Sequence, residues 1–201
     1  MKVFKFGGAS VKDAAGVKNL SSIVHQQHGQ LIVVVSAMGK TTNLLETLCN
    51  AYFHQDPKAT AIMKELKDFH LNIVNSLFPL NNPVYKHLEE LFTNLENILA
   101  SESSLCYDYE YDRIICFGEL ISTTIISDYL KMEGIENQFI DIRKFLKTDQ
   151  NYRNANIDLE LSEQLCKEAF DFKASSTFVT QGFIAGTRTN QTTTLGREGS
   201  D

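Results

Sequence analysis

A lysine followed by paired glycines stands near the start of the chain, in the segment Lys5-Phe-Gly-Gly-Ala-Ser10. Lys5 supplies a positive charge, and Gly7 and Gly8 allow an anion to approach the backbone N–H groups closely. Unpaired N–H groups at the start of a following helix would add to that charge. The segment therefore favours binding of a phosphate, although a tight turn with a surface lysine has the same composition.

A second candidate is the segment Ser36-Ala-Met-Gly-Lys-Thr-Thr42, which contains the Gly-Lys-Thr that ends a Walker A loop. That motif also requires a glycine five residues before Gly39, and Val34 occupies the position. We therefore reject a P-loop. The hydroxyl groups of Ser36, Thr41 and Thr42 remain suited to hydrogen-bonding a small polar ligand, with helix N-capping by either threonine as the alternative.

One acidic residue, Glu119, interrupts the apolar pattern Ile114-Ile-Cys-Phe-Gly-Glu-Leu-Ile121, which predicts a buried helix. An ionised carboxylate in such a place costs several kcal/mol unless a cation meets it. That cation is either the ammonium group of a ligand, for which Gly118 leaves room, or an internal base such as Arg113. The residues alone leave both possibilities open.

The C-terminal segment Gly196-Arg-Glu-Gly-Ser-Asp201 places Arg197 in a glycine-rich loop. A guanidinium held in this way can grip a carboxylate or a phosphate with two hydrogen bonds. Glu198 and Asp201 add negative charge, which favours a ligand that carries both signs, such as an amino acid. Ser200 or Asp201 would be the N-cap of a helix whose residues do not follow, so we expect the chain to be part of a longer protein.

The elements that would position these residues follow the order of an α/β protein. Val3–Phe6 and Leu31–Val35 are predicted strands, and the second has the β-branched composition of a strand buried on both faces. A helix is predicted between them over about 11–28, with Ser10 and Asp13 as its start signature. Candidate ligand residues thus follow each of the two strands.

A long helical region is predicted from about 42 to 133, with interruptions near 56–57, 79–83 and 101–104. It is too long for an ordinary crossover between strands, so we interpret it as an excursion from the sheet that returns on a helix over 109–133. After it, the pattern predicts short strands at 138–141 and 177–180, a helix at 159–170, and a β-hairpin formed by 183–185 and 192–195.

Composition and charge exclude several classes of protein. The chain has 19 Lys and Arg against 25 Asp and Glu, a net charge of −6 that is the wrong sign for a general nucleic-acid or membrane-surface binder. Its longest apolar run, Leu31–Val35, is far shorter than the roughly 20 residues of a membrane span, and no signal-peptide pattern is present. The four cysteines lack metal-site or redox spacing, so we expect reduced, mostly buried thiols and a cytoplasmic protein.

Five segments together resemble the aspartate kinases of the amino-acid kinase family. The resemblance implies a three-layer α/β/α sandwich on a largely parallel sheet, with the helical region at about 42–133 inserted in its N-terminal, amino-acid-binding part. Ala9 and Glu198 depart from the family pattern, in which Thr and Gly are common. The segments are KFGGAS at 5–10, VVVSAMGKTTNLL at 33–45, GELIST at 118–123, VTQGFIA at 179–185 and TTTLGREGSD at 192–201.

The resemblance also implies roles for individual residues. Lys5 would be the catalytic contact to the transferring phosphoryl group, and Gly7, Gly8 and Ser10 would bind the phosphates of ATP, with Mg²⁺ carried by the nucleotide and no metal ligand from the protein. In the aspartate site, the carboxylate of Glu119 would face the ammonium group, the ring of Phe183 would form a wall and the guanidinium of Arg197 would hold the α-carboxylate. The other residues of this site would be Ser36, Thr42, Ser200 and Asp201.

The implied reaction transfers a phosphoryl group from ATP to the side-chain carboxylate of L-aspartate, giving 4-phospho-L-aspartate, the first step of lysine, threonine and methionine biosynthesis. Two alternatives stay open: a relative that acts on glutamate, acetylglutamate or a nucleotide, and a ligand-binding module without catalysis. In the family, the ATP-binding half and the regulatory ACT domains follow position 201. We therefore expect these 201 residues to be inactive alone, and the full-length protein to be a homo-oligomer.

Overall fold

The computed structural model describes residues 1–196, so Arg197, Ser200 and Asp201 lie outside the described residues. Strands alternate with helices before and after a central region that contains only helices, as predicted. The strands are β1 (Lys2–Phe6), β2 (Leu31–Val35), β3 (Gln138–Ile140), β4 (Lys147–Thr148), β5 (Thr177–Gln181), β6 (Ile184–Thr187) and β7 (Thr192–Thr194), and the helices are α1 (Ala14–His25), α2 (Thr41–Phe53), α3 (Lys58–Leu77), α4 (Val84–Ala100), α5 (Tyr107–Ile115), α6 (Phe117–Met132) and α7 (Leu159–Ala169).

Four strands form a fully parallel sheet in the order β1-β2-β5-β3. One face of β5 packs on α6, where Nε2 of Gln181 donates a 2.9 Å hydrogen bond to the hydroxyl of Thr123. On the opposite face, the ring of Phe178 meets those of Phe170 and Phe172 edge-on, just after α7. Helical segments thus flank both faces, and the predicted α/β/α class with its largely parallel sheet is confirmed.

The predicted helical region is confirmed as five helices, α2 to α6, with no strand between them. Two of its interruptions have local causes. A proline, Pro57 or Pro83, stands just before α3 and α4. The residue before each proline, Asp56 or Asn82, accepts the N–H of the first helical residue with its side-chain oxygen. Among the described residues, no helix is both long and apolar enough to cross a membrane.

Three details of the sequence prediction are wrong. Asp13, rather than Ser10, caps α1 by accepting the N–H of Gly16, and a short 3-10 helix at Gly8–Val11 precedes it. The returning helix is divided at Cys116 into α5 and α6. In β2, Leu31, Val33 and Val35 are buried, whereas the alternate residues Ile32 and Val34 are only partly covered, because α6 packs on just one face of this strand.

The last part of the chain forms a second, three-stranded sheet in the order β4-β6-β7. β6 and β7 are antiparallel, which confirms the predicted hairpin, and the two-residue strand β4 pairs parallel to β6. The pattern gave no sign of β4, because two residues are too few for a period. All four cysteines are unpaired, and Cys106 is the one that is exposed.

Candidate active site

The carboxyl ends of three neighbouring strands meet at one edge of the parallel sheet. The N–H of Ser36, just after β2, donates to the carbonyl of Phe6 at the end of β1 (3.1 Å), and the N–H of Gly182, just after β5, donates to the carbonyl of Val35 (3.2 Å). In open α/β sheets, this edge is where ligands bind. Three of the segments singled out in the sequence therefore converge.

Gly8 packs directly against the turn that follows β2. A Cβ atom added at Gly8 would lie 2.5 Å from the carbonyl oxygen of Ala37, and the carbonyl of Gly8 accepts the N–H of Gly39 (3.0 Å). Gly7, by contrast, borders open space, since an added Cβ would have no neighbour within 4 Å. The two glycines therefore differ: Gly8 permits the close approach of two turns, and Gly7 keeps the backbone accessible.

The start of α6 approaches the same turn from the other side. A Cβ atom at Gly118 would lie 2.9 Å from the Cβ of Ala37 and 3.2 Å from Cδ1 of Leu45, so only glycine allows this approach without a shift. It brings the next residue, Glu119, within hydrogen-bond distance of the N–H of Ala37, which donates to its Oε1 at 3.1 Å. The hydroxyl of Ser122 on the next turn donates to the carbonyl of Ser36 (2.8 Å).

Glu119 has a buried carboxylate, of which only one oxygen accepts a hydrogen bond from the described residues. The residue is 2% exposed, and its Oε2 has no hydrogen-bond partner among residues 1–196. Burial raises the pKa of Glu119 to about 8, an effect that the N–H of Ala37 only partly offsets. The side chain is therefore set to accept one further proton or cation.

The alternative partner suggested by the sequence, Arg113, is bound elsewhere. Its Nη1 donates to Oε2 of Glu110 at 3.1 Å, one turn earlier on α5. The interpretation of Glu119 as half of an internal ion pair with Arg113 is therefore wrong. The observed pair has the i,i+3 spacing at which side chains meet on one helix, whereas Glu119 lies six residues after Arg113, on α6.

The hydroxyl residues after β2 occupy different environments. Thr41 is buried, and its hydroxyl donates to the carbonyl of Met38 (2.6 Å) instead of capping α2, so the N-capping alternative is wrong for it. Thr42 and Ser36 are partly exposed at the end of the turn. They remain accessible to a ligand, as the sequence prediction requires.

Phe183 follows β5 with a backbone angle φ of 66°, in a region that bulky residues rarely adopt. Its carbonyl accepts the N–H of Leu195 at 2.9 Å, which ties it to the end of β7. Such strained residues persist where the surrounding structure holds them, and they are common at functional sites. The family resemblance implied a wall at Phe183, and nothing in the residue pattern indicated this conformation.

The remaining predicted residues are placed only in part. Lys5 pairs in register with Val34 and is exposed at the end of β1, and Ser10 lies exposed in the 3-10 helix after Gly7. Arg197 and the two predicted ligand residues beyond it fall outside the described part of the chain. Among residues 1–196, the structure thus gathers the segments of Gly8, Ser36, Glu119 and Phe183 around one edge of the sheet.

A cavity of about 750 Å³ opens between α2, the start of α3, α5 and the loop at 149–156. Asn43, next to Thr42, lines one part of it, and Tyr111 and Arg153 line another. None of the predicted ligand residues among 1–196 lines this cavity. The candidate site therefore lies at Ala37, where Gly8, Gly118 and Glu119 meet, and not in this cavity.

Comparison with known proteins identifies the family of the chain. The sequence model of the family described as "Amino acid kinase family" matches residues 1–201, the whole chain. The chain belongs to the amino acid kinase family. This membership is consistent with the largely parallel sheet.

Several characterised amino acid kinases are similar to the chain along its full length. It is 29% identical over 202 residues to lysine-sensitive aspartokinase 3 of Escherichia coli, and 27% identical to an aspartokinase of Chlamydia muridarum; each alignment covers 99% of this chain. The alignments cover 44% and 43% of those proteins, so the chain spans less than half of their length.

Solved structures extend the similarity to three dimensions. A crystal structure of Escherichia coli aspartokinase III in complex with lysine and aspartate superimposes with a TM-score of 0.89 at 27% identity, over 98% of this chain and 44% of that one. A second structure of that enzyme, in complex with aspartate and ADP, gives a TM-score of 0.88.

The structure of this amino acid kinase chain shows two polar residues whose contacts were not predicted from the sequence. Gln181, at the end of β5, donates to Thr123 and accepts the N–H of Ile142 (2.9 Å), which joins β5 to α6 and to the end of β3. Asp112 on α5 is completely buried and binds the end of β7. Gln181 stood within the quoted segment VTQGFIA, but nothing near Asp112 in the sequence marked it.

Proposed function

We propose that the chain is the amino-acid-binding part of an aspartate kinase, in which ATP phosphorylates the side-chain carboxylate of L-aspartate to give 4-phospho-L-aspartate. The observation that carries the proposal is Glu119, a buried carboxylate at the carboxyl edge of the sheet, of which one oxygen accepts the N–H of Ala37 and the other has no hydrogen-bond partner among residues 1–196. Its similarity to aspartokinases, one of them solved with aspartate and ADP, supports the choice of substrates.

Glu119 accounts for the selection of an amino acid. An α-ammonium group near Oε2 would supply the cation that the buried carboxylate lacks, and the proton held at a pKa of about 8 would leave as the ammonium arrives. Ser36 and Thr42 are accessible beside it to hydrogen-bond the ligand, and Phe183 would close one side. In this proposal, Arg197 holds the α-carboxylate, with Ser200 and Asp201 nearby.

The end of β1 suits the phosphates of a nucleotide. Lys5 is exposed there, and the backbone of Gly7 borders open space. Lys5, Gly7, Gly8 and Ser10 would therefore hold the phosphate groups, with Lys5 next to the group in transfer. Residues 1–196 contain no cluster of three His, Cys, Asp or Glu side chains that could hold a metal ion. We propose that Mg²⁺ enters with ATP and neutralises phosphate charge, as it does in other phosphoryl transfers.

The chemistry requires no general base from this chain. A carboxylate substrate with a pKa near 4 is already ionised at neutral pH, so the residues need only to align it with the phosphoryl group and to offset the repulsion between two anions. His70, the histidine nearest to the turn after β2, is buried, and burial lowers its pKa to about 4. It stays neutral and acts as packing beneath Thr41.

A kinetic screen of amino acids with the full-length gene product that carries residues 1–201 tests the proposal. We expect ATP-dependent phosphorylation of L-aspartate, with loss of aspartate binding in Glu119→Ala and Arg197→Ala by calorimetry. Preference for glutamate, acetylglutamate or a nucleotide would contradict the substrate, and tight aspartate binding without turnover would contradict the kinase activity. Homo-oligomerisation and the division of labour between residues 1–201 and a nucleotide-binding part belong to the same proposal.

A further inference from the structure

Asp112 is a completely buried carboxylate outside the predicted site. Its Oδ2 accepts the N–H groups of Thr194 and Arg153, each at 2.9 Å, and its Oδ1 accepts the hydroxyl of Thr194 at 2.6 Å. Burial raises the pKa of Asp112 to about 6, although these hydrogen bonds lower it in part. Burial of a carboxylate costs free energy of desolvation, so we ask what the hydrogen bonds of Asp112 contribute to the structure.

The partners of Asp112 lie in two segments far from α5 in sequence. Thr194 ends β7, and its carbonyl also accepts the N–H of Ala155 (3.0 Å), two residues beyond Arg153. One side chain on α5 thus joins the end of a hairpin to the loop at 149–156. The separation of Asp112 and Thr194 is 82 residues.

The hairpin end held by Asp112 in turn holds Phe183. Thr194 pairs in register with Ile184, and the N–H of the next residue, Leu195, donates to the carbonyl of Phe183 at 2.9 Å. Phe183 has a φ of 66°, so it depends on such contacts to keep its position. Asp112 therefore supports the Phe183 side of the candidate site.

The same helix leads directly to the Glu119 side. α5 ends at Ile115, α6 begins at Phe117, and only Cys116 separates them. Glu119 stands in the first turn of α6, where it binds Ala37. A stretch of eight residues, helical except at Cys116, thus carries both Asp112, which holds the hairpin, and Glu119.

We propose that Asp112 is a positioning residue of the aspartate site: by tying the end of β7 to α5, it sets the separation between Phe183 and Glu119. This inference rests on the proposed function for its substrate. It does not make Asp112 a contact of the ligand. Glu110, the other fully buried carboxylate of α5, shows the contrast, because among residues 1–196 its hydrogen bonds are to the nearby N–H of Ser104 and the side chain of Arg113.

Adjacent threonines on β7 offer a matched pair of variants. Thr194→Val removes the hydroxyl that Asp112 accepts and keeps the β-branched shape, while Thr193→Val removes the hydroxyl that lies 2.7 Å from that of Thr148. Both threonines are fully buried, and each change removes one hydroxyl hydrogen bond. Only Thr194→Val weakens the connection to Asp112.

In the full-length gene product, we expect Thr194→Val to raise the KM for aspartate by about tenfold, the value of one hydrogen bond to a charged group, with kcat changed less than about twofold. Thr193→Val should leave the KM for aspartate near that of the wild type. Asp112→Asn should largely keep the wild-type KM, since an amide oxygen can accept both N–H groups and its NH₂ can donate to the hydroxyl of Thr194. Asp112→Ala, which has no acceptor, should raise KM more than Thr194→Val.

Equal KM values in Thr194→Val and Thr193→Val would overturn the positioning role while leaving the proposed function intact. If the wild-type protein does not use aspartate, the proposed function fails, and hydrogen exchange of the Leu195 amide decides the structural claim. We expect that exchange to be faster in Thr194→Val than in Thr193→Val, because the amide is bonded to Phe183. Equal exchange in the two variants would refute it.

Discussion

The backbone N–H of Ala37 donates a 3.1 Å hydrogen bond to Oε1 of Glu119, a residue 82 positions later in the chain. This bond satisfies one oxygen of the buried carboxylate and fixes its direction, while Oε2 has no partner among the described residues. The turn after β2 and the start of α6 are thereby joined at the point where we place the ammonium group of the substrate. Four predictions follow from this arrangement and its neighbours.

Binding of aspartate should release a proton. Since burial raises the pKa of Glu119 to about 8, the side chain is mostly protonated at pH 7 in the free protein, and an ammonium group beside it favours the ionised form. We expect close to one proton released per aspartate bound at pH 7, and affinity that rises by up to about tenfold per pH unit between pH 6 and 8. Calorimetry in buffers of different ionisation enthalpy measures the release; a buffer-independent enthalpy would contradict it.

Glu119→Gln should stabilise the free protein at alkaline pH. The carboxyl of Glu119 has a higher pKa in the folded state than in the unfolded state, so between about pH 4.5 and 8 the folded state binds more protons and the free energy of unfolding falls as pH rises. The glutamine variant lacks this decrease and should gain several kcal/mol relative to the wild type at pH 8.5, on the order expected from the pKa difference.

Denaturant unfolding at pH 5 and pH 8.5 checks this effect, with Glu110→Gln as the control. Glu110 is equally buried but pairs with Arg113, so its neutralisation should destabilise the protein instead. Aspartate affinity should fall by about 10- to 100-fold in Glu119→Gln because the ammonium loses a charged acceptor. A glutamine variant that is less stable than the wild type at pH 8.5 would show that Glu119 already has a cation.

Gly118→Ala should separate α6 from the turn after β2. Its Cβ would lie 2.9 Å from the Cβ of Ala37, so the variant should lose about 1–3 kcal/mol of stability, despite the better helix propensity of alanine. Aspartate affinity should fall with it, because the distance from Ala37 to Glu119 changes. The measurements are thermal unfolding and calorimetric titration with aspartate.

The double variant Ala37→Gly/Gly118→Ala provides the control, since it removes one methyl group and adds the other. It should recover part of the stability and affinity lost in Gly118→Ala. Gly7→Ala should leave stability nearly unchanged, since φ there is −71° and no atom lies within 4 Å of an added Cβ. Strictly additive losses in the double variant would show that the methyl contact is not the cause.

Phe183→Gly and Phe183→Ala should separate backbone strain from the loss of a ring. Both remove the proposed wall of the aspartate site and should raise the KM for aspartate to a similar extent. Glycine adopts a φ of 66° without cost, so Phe183→Gly should be more stable than Phe183→Ala by about 1 kcal/mol. Equal stability in denaturant unfolding would contradict a native left-handed conformation at this position.

Features that depend on neighbours in sequence were predictable. The β-branched run at Leu31–Val35, the paired glycines at 7 and 8 and the long helical region all follow from local composition and periodicity, and the structure has each of them. Glu119 was also recognisable, because a single acid in an apolar helix stands out. Its burial confirms that interpretation.

Features that depend on distant partners were not predictable from the pattern. Asp112 lies beside other acids and tyrosines on a helix of ordinary composition, and its importance arises from Thr194 and Arg153, which only the fold brings to it. The positive φ of Phe183 has the same origin, since Leu195 and the β6–β7 hairpin impose it on a residue type that does not favour it. The structure likewise shows that Arg113 pairs with Glu110 and not with Glu119.

The separation between Ala37 and Glu119 has a consequence for how the protein acquires its site during folding. The segment between them folds largely into helices, whose hydrogen bonds are local and form quickly, whereas the bond from Ala37 closes a loop of 82 residues and must await docking of α6 on the sheet. A partly folded chain can therefore contain most of its helices while Glu119 is not yet held in position by Ala37. Ligand binding at Glu119 would report completed assembly, and the substrate itself would favour the last step of maturation.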